Sequence, residues 1–221
     1  MSERPQSVSV LEAVPGADAV RRRPGGRNAR VRDATIRATL EQLAESGWAG
    51  LSLERVARRA GVHKTTLYRR WGRPEALLLD TLLETARDRV PIPDTGSCRE
   101  DLIRYARAII RSLSTPEMHG VVRAFASEVT HEGELDLARR QYWESRFELA
   151  GVIVSRGIER GELRADVSAR RLLEGVLGQI YLRLLVTGGC LGPTLAEEAV
   201  DLVLAGASAS EGHKCQSGPA T

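Results

Sequence analysis

The segment Ser52–Trp71, SLERVARRAGVHKTTLYRRW, concentrates side chains able to meet a polyanion. Lys64, Arg69, Arg70 and, just beyond, Arg73 are cations. Ser52, Thr65 and Thr66 are short hydroxyls, and Tyr68 is a phenol. Such groups suit phosphate oxygens, where contacts position a protein, and base edges, where contacts specify sequence. Leu67 and Trp71 stand four apart, so both anchor one side of a helix. The helical wheel then turns Thr65, Thr66 and Arg69 outward, sets Tyr68 and Arg70 on the flanks and leaves Lys64 in the first turn. No rival chemistry is legible elsewhere. The chain has no Ser/His/Asp set, metal-ligand spacing or phosphate loop, and His63, His119, His131 and His213 are scattered. Neither catalysis, a metal nor a cofactor is expected.

Charge points the same way. Net charge over 221 residues is only +3, yet Arg21–Arg73 carries fourteen basic and four acidic residues. From Pro74 onward there are seventeen basic against twenty-two acidic residues. A basic module joined to a mildly acidic body fits polyanion binding, against the plainer alternative of a solvated charged face. Aromatics are 4%, so the core must be mostly Leu, Val, Ile and Ala. No apolar run is long enough to span a membrane. Ser7–Val20 is interrupted by Glu12, Pro15 and Asp18 and makes no secretory core. Cys98, Cys190 and Cys215 are odd in number and far apart, which favours a reducing, cytoplasmic setting over a disulfide framework. Cys98 near a helix start reads as inert.

The positioning elements are all helical by period, so the fold class is all-α. Residues 1–28, with Arg21-Arg22-Arg23, read as a disordered basic arm: a solvated tail or an arm for the minor groove. Ile36, Leu40, Leu43 and Ala44 stripe a first helix that Gly47 ends. Ser52 caps a second with Leu53, Val56, Ala57 and Ala60 inward. Gly61-Val62 turns the chain into the third, and Pro74 opens a fourth carrying Leu77, Leu78, Leu82 and Leu83. After the break Pro91–Gly96, Ser97-Cys98-Arg99-Glu100 is a capping box. A long helix spans about 134–160, with Trp143, Phe147, Ala150, Val154 and Ile158 on one stripe widened by Leu149 and Ile153. Asp166 is expected to cap the next helix and Thr194-Leu195-Ala196-Glu197 to box the last. Residues 209–221 read as a frayed tail.

Two short helices joined at Gly61 form a helix-turn-helix over 52–71, whose second helix can enter a major groove. The whole arrangement resembles the TetR family of bacterial transcriptional repressors. The resemblance rests on the Ile36–Gly47 helix, Ser52-Leu53, Ala60-Gly61-Val62, Thr66-Leu67-Tyr68, Trp71 and Glu75-Ala76-Leu77-Leu78. It implies a DNA-binding domain over 29–89 and a regulatory, dimerising domain over 97–208. It further implies base- and phosphate-facing roles for Lys64, Thr65, Thr66 and Arg69, and a backbone contact for Tyr68. His63 stands where the family commonly has a small capping residue. Pro74 stands where the family often has a phosphate-binding Lys, a contact that Arg73 is placed to replace.

The resemblance also implies a homodimer on a near-palindromic operator in duplex DNA, and a small-molecule effector. The apolar helix 172–185 and the last helix are the expected dimer face: Leu173, Gly175, Val176, Leu177, Gly178, Ile180, Leu184, Ala199, Leu202 and Val203. Tyr105, Phe125, Trp143, Phe147 and Tyr181 are either plain core or the lining of a pocket for a largely apolar ligand. Arg104, Arg123 or Gln179 would add polar contacts. Two alternatives stand beside this reading. One is an all-α small-molecule-binding protein or enzyme whose basic segment reads no DNA. The other is an architectural DNA binder without base readout.

Overall fold

The computed structural model describes residues 26–115, 117–119, 121–122 and 133–208. The elements in chain order are α1 (Arg27–Ser46), α2 (Leu53–Ala60), α3 (Lys64–Trp71), α4 (Pro74–Arg89), α5 (Cys98–Leu113), α6 (Glu134–Glu159), α7 (Ala169–Leu182) and α8 (Leu195–Leu204). A π-helical turn, Arg183–Thr187, continues α7. Residues 117–119 and 121–122 are also helical. The only bridge among the described residues joins Leu163 to Ser208. The regular structure described is thus helical, as the periodicity requires.

Local chemistry sets the reading head. The Ser52 side chain accepts from the Arg55 N–H at 3.3 Å and starts α2. Gly61 takes a left-handed backbone (φ 67°), which a side chain would resist, and Val62 N–H closes back on the Ala57 carbonyl at 3.0 Å. The chain thereby reverses into α3. Leu67 is fully buried against Leu43, Leu53, Val56, Leu77 and Leu78, a contact worth about 1.5–3 kcal/mol.

α4 belongs to two cores. Leu77, Leu78 and Leu82 complete the head, while Val90, which ends the helix, joins Tyr105, Ile153, Leu173, Val176 and Ile180 in the body. Met118 and Val121 are buried on the head's core, and Leu135 and Tyr142 pack against it. The Pro91–Gly96 break therefore separates elements in sequence without separating them in packing. Asp80 fastens the head further: its carboxylate accepts from Arg32 of α1 at 2.6 Å and from the Trp71 indole N–H at 3.1 Å. Arg32 also reaches the buried Glu84 at 2.6 Å.

Several sequence expectations change. α1 begins at Arg27, inside the expected arm, because nothing in Arg27–Asn28 opposes helix; the Arg21–Arg23 run lies outside the described residues, as do 209–221. Ala44 and Leu149 are exposed rather than inward. Ser168, not Asp166, caps α7 by accepting from Arg171 N–H, since Asp166 is taken by Arg164. Thr194 makes no capping bond; its hydroxyl donates to Glu198. Only the Ser97 half of the first box forms, because Glu100 turns to Arg104. Cys98 is buried and its thiol is pushed up to about 11, by desolvation first and by Glu162 next, so the helix start does not activate it.

Two substitutions test this packing. A Cβ at Gly157 would lie 2.8 Å from Cys98 Sγ and 2.9 Å from Cys98 Cβ. Gly157→Ala should cost about 1–3 kcal/mol in urea unfolding; an unchanged midpoint would show that α5 and α6 do not meet there. Asp80→Ala leaves the Trp71 N–H unpaired and halves the carboxylates around Arg32. A loss of about 1–3 kcal/mol by thermal melting is expected, and none if the contact is idle.

Candidate nucleic-acid interface

The geometry of α3 separates anchor from surface. Leu67 is buried and Trp71 half-buried, while Lys64, Thr65, Arg69 and Arg70 are exposed and Thr66 is half-buried. Lys64 and Arg69 form no salt bridge among the described residues. Arg70 lies 4.9 Å over the Trp71 ring, and on α2 Arg59 is held by Glu45 at 2.7 Å and Arg55 by the Gly50 carbonyl at 3.0 Å. Arg58 of α2 is likewise exposed and without a salt bridge among the described residues, so free cations lie on both helices of the motif. His63 is the N-cap residue but makes no side-chain cap bond; its carbonyl accepts from Thr66 N–H at 2.9 Å, which leaves the Lys64 and Thr65 amides for an anion.

Two expected contacts are already engaged. Tyr68 donates its hydroxyl to Glu54, which holds the Glu54 carboxyl below its ordinary range and raises the phenol. Arg73, exposed, pairs with Glu134 at the start of α6. Both partners are solvent-accessible, so phosphate can displace them at little cost. The sequence pattern did not single out Glu54 or Glu134 as partners, since neither is near its mate in the chain.

The expected pocket residues divide. Tyr105, Trp143 and Tyr181 line an internal cavity of about 30 Å³ together with Leu82, Thr85, Val90, Ser112, Met118, Tyr142, Arg146 and Leu177. Phe147 instead joins Trp143, Leu177, Gly178 and Tyr181 along an outer groove of about 590 Å³ between α6 and α7. Phe125 and Arg123 lie outside the described residues. Arg104 is exposed on Glu100, and Gln179 bonds the Gly175 and Ala199 carbonyls, so neither supplies the cavity's polarity. Arg146 does. Burial raises the Tyr142 hydroxyl to about 12 and pushes those of Tyr105 and Tyr181 up, with nearby Arg146 acting against it.

The residues expected at a dimer face divide. Leu173, Val176, Leu177, Ile180 and Ala199 are buried in this chain's own core, and a Cβ at Gly175 would meet Val203 of the same chain at 3.0 Å. Val203 and Leu184 are half-buried against that core. The apolar periodicity counts inward and outward residues alike, so it does not separate those buried in this chain from those left exposed. Gly178 is open, and Leu182, Leu185, Val186 and Leu202 are exposed at 52%, 39%, 74% and 68%.

Among the described residues no helix is long and apolar enough to cross a membrane, and no group of His, Cys, Asp or Glu could hold a metal. Comparison with known proteins accounts for both halves of the chain. Residues 36–81 match the family model "Bacterial regulatory proteins, tetR family", and residues 92–203 match "Tetracyclin repressor-like, C-terminal domain". The chain is 34% identical over 180 residues to the HTH-type transcriptional regulator AqdR of Rhodococcus erythropolis, covering 81% of this chain and 86% of that one. It is 29% identical to the DNA-binding transcriptional repressor TetR of Mycobacteroides abscessus, covering 77% and 90%. The crystal structure of the TetR family transcription regulator SCO0332 superposes with a TM-score of 0.68 at 32% identity, covering 80% and 98%. The chain therefore belongs to the TetR family, and is a DNA-binding transcriptional regulator that carries the family's helix-turn-helix on α2 and α3.

Proposed function

We propose that this regulator is a dimeric, cytoplasmic repressor that holds a near-palindromic operator and releases it when a small molecule enters the body. The observation that carries the DNA-reading part is the outward face of α3, where Lys64, Thr65 and Arg69 are exposed over the buried anchor Leu67. Arg69 reads a base edge, Lys64 meets phosphate, and Ser52, Thr66, Tyr68, Arg70 and Arg73 line the backbone. The repressor named among the relatives supports the direction of control. The response is a change of DNA affinity and includes no chemical step.

A single helix-turn-helix covers few base pairs, so two heads are needed. The exposed apolar residues of the α7 end, the π-turn and α8 are the surface offered to a second copy, with Gly178 and Leu202 in it. The effector site is the body cavity. Its volume holds about two water molecules, so an effector must widen it, and that widening acts on Leu82, Thr85, Ala86 and Val90 of the α4 segment that lines it. Each tenfold loss of operator affinity needs about 1.4 kcal/mol of preference for the released state.

Operator variants titrated at several salt concentrations test the reading. Arg69→Ala should lose discrimination at one base position, about 1–3 kcal/mol for a guanine contact. Lys64→Ala should weaken all sequences alike and flatten the salt slope by about one. Wild-type selectivity in both variants would remove α3 from the groove. For assembly, Leu202→Arg should shift the sedimenting species from dimer to monomer while leaving the melting of each chain intact. A dimer that survives in both Leu202→Arg and Val186→Arg would place the interface elsewhere.

A further inference from the structure

Arg146 is the one arginine classed as buried among the described residues, at 5% exposure. Its Nη2 donates to the Val90 carbonyl and to the Tyr105 hydroxyl, both at 3.2 Å, and its guanidinium lies 5.6 Å from the Tyr105 ring centre. No carboxylate among the described residues pairs with it. The other inward arginines differ: Arg32 has Asp80 and Glu84, Arg139 has Asp136, and Arg156 has Asp94. A buried cation without a counter-ion is costly, and Nη2 alone holds it within the protein. Arg146 lines the 30 Å³ cavity beside Tyr105, Tyr142, Tyr181 and Ser112.

Resting on the ligand-responsive reading above, we infer that the effector is an amphiphilic carboxylate whose oxyanion pairs with Arg146 inside the body cavity. The cavity has room for the head group alone. Trp143, Leu177 and Tyr181 line both the cavity and the outer groove, so they form the wall between the two. Trp143 stacks on Phe147 at 5.7 Å and meets Tyr181 edge-on at 5.3 Å. The ligand's apolar or aromatic body passes this wall and lies along Trp143 and Phe147. Of the cations lining the groove, Arg170 is compensated by Glu144 and Glu174, and Arg139 and Arg140 by Asp136, which leaves Arg146 as the site of charge recognition.

The same residue explains the response. Val90 ends α4, the helix that carries the reading head, and its carbonyl is held by Arg146. A carboxylate competes for that guanidinium, so filling the site loosens the grip on the end of α4. Arg146 is at once counter-ion and latch.

The test uses the full chain with decanoate and 2-naphthoate, each against its methyl ester, read by calorimetry and by operator release. Wild type should bind each carboxylate at least about tenfold more tightly than its ester. In R146Q the two should bind alike. In R170Q the preference should be unchanged, since Arg170 meets the Phe147 ring and its own carboxylates and not the head group; R146K, which keeps the cation, should retain the preference and keeps the test decisive if R146Q does not fold. Equal binding of acid and ester by wild type, no carboxylate binding up to about 1 mM, a preference that survives in R146Q, or one abolished in R170Q would each overturn the site. Operator binding by the same wild-type preparation separates the two readings: if it is intact while carboxylates fail, only the anion site falls.

Discussion

The reading head stands where it does because α4 is shared between two hydrophobic cores. Leu77, Leu78 and Leu82 cannot leave the head, and Val90 cannot leave the body, without exposing apolar surface on both sides. A close-packed interior shifts between discrete arrangements and does not deform smoothly. Any change at the body end of α4 therefore has to reappear at the head end. Asp80 makes the link specific to α3, because it grips the indole of the residue that ends the recognition helix.

Charge is distributed along the same axis. Near the head, Arg32 is neutralised by two carboxylates on α4, which fixes α1 on the lever. Near the body, Arg146 holds the far end of α4 through the Val90 carbonyl and ties it to the Tyr105 phenol of α5. A neutralised pair is content in one geometry, whereas a cation held only by neutral acceptors gains from an incoming anion. The lever is thus fastened firmly at the head end and provisionally at the body end.

Much of the fold was legible because its signals are local. Gly47, Gly61, Pro74 and the Ser52 cap each act within one helical turn, and the Leu67–Trp71 spacing names its own face. The errors came where the signal is not local. Asp166 precedes α7 plausibly, yet its ion pair with Arg164 hands the cap to Ser168. The apolar pairs of α7 are so numerous that periodicity cannot say which side meets its own chain and which a second one. At the site, outward Thr65 and Arg69 follow from the wheel while Thr66 is half-buried, and the partners Glu54 and Glu134 are brought in by tertiary packing. Arg146 lies one step from the Trp143–Phe147–Ala150 stripe, a position that signals a buried cation only once that helix is known to be covered on several sides.

If α4 couples head and body as one unit, the two must unfold together. The direct measurement is urea unfolding of two single-tryptophan variants, one retaining Trp71 in the head and one retaining Trp143 in the body. Coincident midpoints and slopes are expected, as for a two-state unit. A head that melts at lower urea while the Trp143 signal stays native would contradict the shared lever.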